Sequence, residues 1–240
     1  MRHSEIDTLK GVAVTLMIFY HYYYVSYLMG KSYDIDIPII DLSGRVSHNI
    51  FIFMAGLNLY LSYKKNKDKK NYDKKKNGRE LTLIILGLII SLFTYFIFPD
   101  RFVKFGILHF MAVGSILSSL FVGSKNRVKI GIVIFYLLNY FINNYHNQVY
   151  QVCRNNLFGC FILGANYKYS AIDHFALIPN MITLLSGIGF GQTFYQKDNN
   201  LISTTFEKVN FKMLNYLGRE SLKIYMIHWV ILYILLKNKI

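Results

Sequence analysis

The chain is poor in the residues on which most soluble cofactor enzymes depend. It holds two cysteines in 240 residues, and no zinc-finger spacing, P-loop or dinucleotide fingerprint occurs anywhere in it, which excludes those modules. No two of its seven histidines stand four apart, the spacing of a helical metal motif, so no metal is expected. No half of the chain repeats the other, which argues against the duplicated architecture of many secondary transporters. Acidic residues are few: 13 Asp and Glu face 27 Lys and Arg, a formal net charge of +14.

Apolar residues are abundant. The chain is 53% hydrophobic and 17% aromatic, with a mean hydropathy of +0.29. Such composition together with high charge is rare in soluble domains and common where lipid covers the apolar residues. A spanning helix needs about 20 mostly apolar residues. Candidate spans lie at 9–29, 47–63, 81–98, 105–122, 128–144, 176–195 and 221–237. The expected fold is therefore all-α, a polytopic transmembrane helix bundle of about seven spans (six to eight) forming one integral-membrane domain over 1–240. The second span is the weakest, since it opens among His48 and Asn49. The stretch "LFGCFILGA" at 157–165 is too short to cross, and reads as a re-entrant or surface piece. The first span is too long for a cleaved signal peptide and lacks a small-residue cleavage site.

Lys- and Arg-rich short loops stay cytoplasmic. The loop "KKNKDKKNYDKKKNGRE" carries nine basic residues between Lys64 and Arg79 and is placed inside. The N-terminus, the loop with Lys125, Arg127 and Lys129, and the segment with Lys197, Lys208, Lys212 and Arg219 then fall on the same side, while the alternate loops carry two basic residues each. The net charge thus reports topology, and nucleic acid is not an expected partner. The lysine block reads as a solvated loop that can also attract anionic headgroups. Cys153 and Cys160 share an outside loop, where an oxidising compartment permits a disulfide.

Ionisable residues inside spans are costly unless they face a cavity or a partner. His21 stands midway along the first span with Met17 and Tyr24 on its face. His48, His109 and His174 open their spans at the outer side, accompanied by Arg45, Arg101, Lys104 and Asp173; His228 lies deeper. Imidazoles of this kind suit general acid–base work or a proton relay. Helix packing and satisfied polar contacts are the alternative for His228 and Tyr225, and close packing is the expectation for Gly56, Gly106, Gly187, Gly189 and Gly191.

Five ordered blocks from Glu5 to Leu235 resemble one family. "EIDTLKGVAVTLMIFYHYY", with Asp7, Lys10, Gly11 and His21, resembles the opening of the DUF1624 family, whose members share the catalytic domain of heparan-α-glucosaminide N-acetyltransferase. "IFIFMAGLNLYLSYKK", "KFGILHFMAVGSIL" and "AIDHFALIPNMITLLSGIGFGQTF" are similar to its following segments, and "YLGRESLKIYMIHWVIL" to the closing signature of the wider membrane acyltransferase class. The chain departs from the family pattern at Lys10, where Arg is usual, and at Ala176 and Asn180, which replace Pro and Trp. It also has no histidine between His21 and His48, where the animal lysosomal branch places its proposed active one.

The resemblance implies an acetyl-CoA-dependent N- or O-acyltransferase that delivers an acetyl group to an extracytoplasmic sugar or glycan. The resemblance does not settle which histidine is catalytic; from the residues and their placement, His21 and Asp173 are the expected catalytic groups, with His48, His109, His174 and Arg45 toward the acceptor, and Lys10, Arg79 and Arg219 at the phosphates of acetyl-CoA. The lipid bilayer is the expected partner, a homodimer is compatible with the wider family, and the plasma (inner) membrane is the expected location. A proton-coupled permease and an inactive structural subunit are the competing readings.

Overall fold

The computed structural model describes residues 3–31, 37–70, 72–153, 163–164, 171–196 and 211–238. They form α1 (Ser4–Leu28), α2 (Pro38–Asn66), α3 (Tyr72–Ile97), a short 3-10 turn (Pro99–Arg101), α4 (Ile107–Ser118), α5 (Lys125–Asn144), α6 (His146–Cys153), α7 (Leu177–Phe194), α8 (Lys212–Arg219) and α9 (Ser221–Lys237). The chain is all-helical, with no strand among the described residues. Most of the stretch 157–165, and any pairing of Cys153 with Cys160, lie outside the described residues.

Each of the seven apolar segments is a helix, but their ends differ from the hydropathy reading in consistent ways. α1 begins at Ser4 because Glu5 and Asp7 suit a first turn, where carboxylates meet the positive end of the helix dipole. α2 begins at Pro38, a residue preorganised for a first helical turn, so His48 and Asn49 sit well inside the helix rather than at its mouth. α3 takes in the basic run from Tyr72. α4 is shortened to 12 residues, because residues 119–123 turn toward α5.

The seven-span expectation is narrowed accordingly. Among the described residues one helix is long and apolar enough to cross a membrane, over Lys74–Ile97 with a mean hydropathy of 2.2. α1 carries five tyrosines and His21, α5 opens on Lys125, Arg127 and Lys129, and α9 has 17 residues. Polar and aromatic side chains or short length keep these below that threshold.

The chain divides into two compact units. The first comprises residues 1–54 and 197–240, and α1 packs there on α8 and α9. Gly11 of α1 lies against the Leu214 carbonyl of α8, and Gly218 of α8 against the Asp7 carbonyl of α1, so that a Cβ at either position would collide with backbone. Thr8 Oγ1 donates to Asn215 Oδ1 at 2.7 Å across the same contact. Ser47 Oγ of α2 donates to the Ala13 carbonyl at 2.8 Å. α1 ends where Gly30 adopts φ 72°, open to glycine without strain. There Gly30 N–H bonds Tyr27 O and Lys31 N–H bonds Ser26 O, the two bonds of a Schellman stop. Lys31 Nζ then reaches the Leu236 carbonyl, at the negative end of α9, at 2.7 Å.

The second unit, residues 55–196, packs α5 on α7 and α3 on α4. Its core is Leu57, Phe110, Met181, Leu184, Leu185 and Ile188. Gly56 lies against the Leu184 carbonyl and Gly191 against the Tyr60 ring, whereas a Cβ on Gly189 would make an ordinary contact with Val128. The close-packing expectation thus holds at Gly56 and Gly191.

Candidate functional site

In the first unit α1 and α9 bring two imidazoles together, their planes tilted by 59°. The His21 and His228 ring centroids lie 4.9 Å apart. Trp229 packs 5.4 Å from His21, Tyr20 lies 5.4 Å away on the same helix, and Tyr225 flanks His228. His21 Nδ1 bonds the Met17 carbonyl at 2.9 Å, and His228 Nδ1 the Tyr225 carbonyl at 2.6 Å. A carbonyl only accepts, so both Nδ1 atoms carry hydrogen and each neutral ring keeps its lone pair on Nε2. His228 is 4% exposed, and its buried Nε2 has no hydrogen-bond partner among the described residues. Two lone-pair nitrogens on neighbouring rings, walled by aromatic groups, form a site able to take and return a proton.

The same unit holds Lys10 and Arg219. Arg219 Nε approaches Asp7 Oδ2 at 3.6 Å, with Asp7 buried and the guanidinium half-exposed. The first and last motifs of the chain therefore meet: Asp7 and Gly11 touch Gly218, Arg219 and Leu214. Arg45 lies on an exposed face of α2, ion-paired to Asp41 one turn earlier, and His48 sits one turn beyond it, part-exposed.

In the second unit a strip over 101–106 runs parallel to 172–175. Ile172 N–H bonds Arg101 O at 2.8 Å, Phe175 N–H bonds Phe105 O at 3.0 Å, and Phe105 pairs with His174 in an isolated bridge. Asp173 is thereby set at the start of α4. Its Oδ2 accepts the Ile107 N–H at 3.3 Å, and a Cβ on Gly106 would come within 2.6 Å of that oxygen. His109 Nδ1 accepts the Gly106 N–H at 3.3 Å, its ring stacks on Phe105 at 5.9 Å and presses on Gly87 of α3. His109, Asp173 and His174 are thus brought together. Lys104 extends over the Phe102 ring at 5.3 Å, and desolvation lowers its pKa from the ordinary lysine value. Asp173→Ala removes the carboxylate from the α4 N-terminus and is expected to cost about 1 kcal/mol. Faster hydrogen exchange at the Ile107 amide is the readout; unchanged protection would refute the capping role.

Arg79 completes the sequence-derived set. Its Nη2 donates to Ser115 Oγ at 2.8 Å and lies 3.4 Å from Glu80 Oε1, while Ser115 Oγ donates to the same Glu80 oxygen at 2.5 Å. Glu80 is 2% exposed. Arg79 also lines a cleft of about 210 Å³ between the end of α2 and the start of α3. A second cleft of about 210 Å³ lies beside the end of α2, with Tyr60, Lys67, Lys125 and Gln192 among its walls.

A family model described as the catalytic domain of heparan-α-glucosaminide N-acetyltransferase matches residues 2–230. The chain belongs to this family. The heparan-α-glucosaminide N-acetyltransferase family is one of membrane-associated acyltransferases. No curated protein and no solved structure matches the chain.

Sequence reading missed His228 as a partner of His21, and missed Glu80 and Ser115 altogether. His228 carried a signal, since it stands within the closing signature of the chain. Glu80 had a weaker one, as an acid at the junction of a basic run and an apolar helix. Ser115 had none, since serines are common inside apolar helices.

Proposed function

We propose that this member of the family is a multi-pass membrane acyltransferase that takes acetyl from acetyl-CoA on the cytoplasmic side and transfers it to an extracytoplasmic amino sugar or glycan. The observation that carries the reading is the His21–His228 pair, with Nδ1 of each ring fixed and Nε2 left as base. Exposed apolar rows support the membrane placement: Ile85, Leu88 and Leu92 on α3, Ile130, Ile134 and Leu137 on α5, and Ile227, Ile231 and Ile234 on α9. Apolar area on this scale requires cover.

In the proposed reaction His21 Nε2 removes the proton of the acceptor hydroxyl or amine as its oxygen or nitrogen attacks the thioester carbonyl. The C–S bond breaks, CoA leaves as the thiolate, and the proton held by His21 returns to that sulfur. His228, whose ring centroid lies 4.9 Å from that of His21, packs against the base and holds it in place. Lys10 and Arg219 are the cations of the first unit assigned to the donor's phosphates. Acceptor contacts are assigned to Arg45 and His48 of α2, which belong to the same unit as His21.

Membranes containing the chain, given acetyl-labelled CoA and a panel of amino sugars and glycans, are expected to move label to an acceptor. Folded protein that neither transfers label nor hydrolyses the donor would overturn the reading. Uptake of a solute driven by a proton gradient, without a new acetyl bond, would replace it with the permease.

A further inference from the structure

The cleft between α2 and α3 has a composition that the acyl-transfer reading leaves unused apart from Arg79, which the sequence expectation set at the donor's phosphates. Tyr72, Lys75, Lys76 and Arg79 lie at successive three- and four-residue steps of α3 and so share one face. Together with Lys69 and Asn66 they line the cleft of about 210 Å³. Four cations converge there, three of them in the first turns of α3, where the positive end of the helix dipole and mutual repulsion both disfavour positive charge. Arg79 is anchored from below by Ser115 and the buried Glu80, and the Tyr63 and Tyr72 rings meet edge to face at 6.2 Å between the two helices. The arrangement is complementary to a phosphate group.

The helix that follows says what the phosphate is attached to. α3 supplies the segment Lys74–Ile97, the candidate span, so the cleft stands at the end of an apolar rod. Down the flank below Lys75 and Arg79, Ile85, Ile89, Leu92 and Phe96 are all exposed. A headgroup seated among the cations would lay its acyl chains along this flank.

We infer that the cleft between α2 and α3 is a binding site for an anionic phospholipid of the surrounding leaflet, its phosphate held by Lys69, Lys75, Lys76 and Arg79 and its chains lying on the exposed flank of α3. The site rests on the membrane reading above but not on the chemistry at His21. It ties the basic loop to the leaflet surface, and its affinity falls as salt screens the cleft.

The test is a binding titration of the full chain in neutral detergent with dioctanoyl-phosphatidylglycerol, dioctanoyl-phosphatidylcholine, inorganic pyrophosphate and coenzyme A. Phosphatidylglycerol is expected to bind most tightly. The Lys69→Gln/Lys75→Gln variant removes two exposed cations and leaves the Arg79 network intact, and it is expected to bind about thirtyfold more weakly. Its circular dichroism and melting temperature should match the parent, which separates loss of the site from loss of fold. Phosphatidylcholine binding as tightly, pyrophosphate binding more tightly, coenzyme A affinity falling with the same variant, or a variant with unchanged affinity for phosphatidylglycerol would each overturn the proposal. Acyl transfer is measured separately, so either reading can fail while the other stands.

Discussion

Membranes carrying His21→Ala should transfer acetyl about 10²–10⁴-fold more slowly than those carrying the parent chain, the usual worth of a positioned general base. The structure gives the reason for choosing this residue among seven histidines. Its Nδ1 is held by Met17 O, so the ring cannot swing and the lone pair on Nε2 keeps one direction. Its neighbour His228 is buried, with Nδ1 likewise committed to its own helix. Two groups acting as a unit give non-additive losses. His228→Ala should therefore slow transfer as well, and the double variant should be no slower than His21→Ala alone. The cavity left by the His21 side chain is walled by Trp229 and His228, so millimolar imidazole added to His21→Ala membranes should restore part of the activity. A purely structural histidine would respond to none of these treatments except through stability. Full activity in His21→Ala would remove the pair from the mechanism, and label trapped on the parent protein would indicate an acetyl-imidazole on the route.

The second large effect concerns folding. Gly218→Val should lower the melting temperature of the detergent-solubilised chain by about 6–12 °C, the equivalent of about 3 kcal/mol in a chain of this size. The added atoms would meet the Asp7 backbone of α1, and backbone cannot swing aside as a side chain can. Gly11→Val strikes the reciprocal position, against Leu214 of α8, and should act alike. Because both substitutions break one contact, the double variant should fall short of the sum of the two losses. Arg219→Gln provides the contrast. It deletes an ion pair whose guanidinium is half-exposed, and such pairs contribute about 0–1 kcal/mol, so its melting temperature should change little. If transfer nonetheless drops with a raised KM for acetyl-CoA, Arg219 serves the donor as well as Asp7. Unchanged melting temperatures in both valine variants would show that α1 and α8 do not meet backbone to backbone.

Much of the helical architecture was legible along the chain, because apolar periodicity and end signals are local. Gly30 marks the end of α1, since a left-handed residue is needed there, and the segments at 128–144 and 221–237 reappear almost unchanged as α5 and α9. Hydropathy alone placed the starts of α1, α2 and α3 too late. Charged first turns such as that of α1 score as loops on a hydropathy scale even where the backbone and the dipole favour helix. The short α6 and α8 carry too few apolar residues to register.

The candidate site was legible only by residue type. His21, Asp173, Arg79 and Arg219 stand out as ionisable groups beside or within apolar runs, and the order of the motifs pointed to the family. Composition and order by themselves determined the helical class, the basic loop and the family, because each depends on neighbours within a few turns. Which groups face one another was decided by tertiary structure alone. The His21 and His228 rings meet, Arg219 reaches Asp7, Asp173 caps α4 and Glu80 anchors Arg79. Each of the first three joins residues far apart in the chain, and the fourth is completed by Ser115 from another helix. Each tautomer follows from a carbonyl on the ring's own helix, but the pairing follows from how α1 and α9 pack, and no window of sequence contains both sides of that contact.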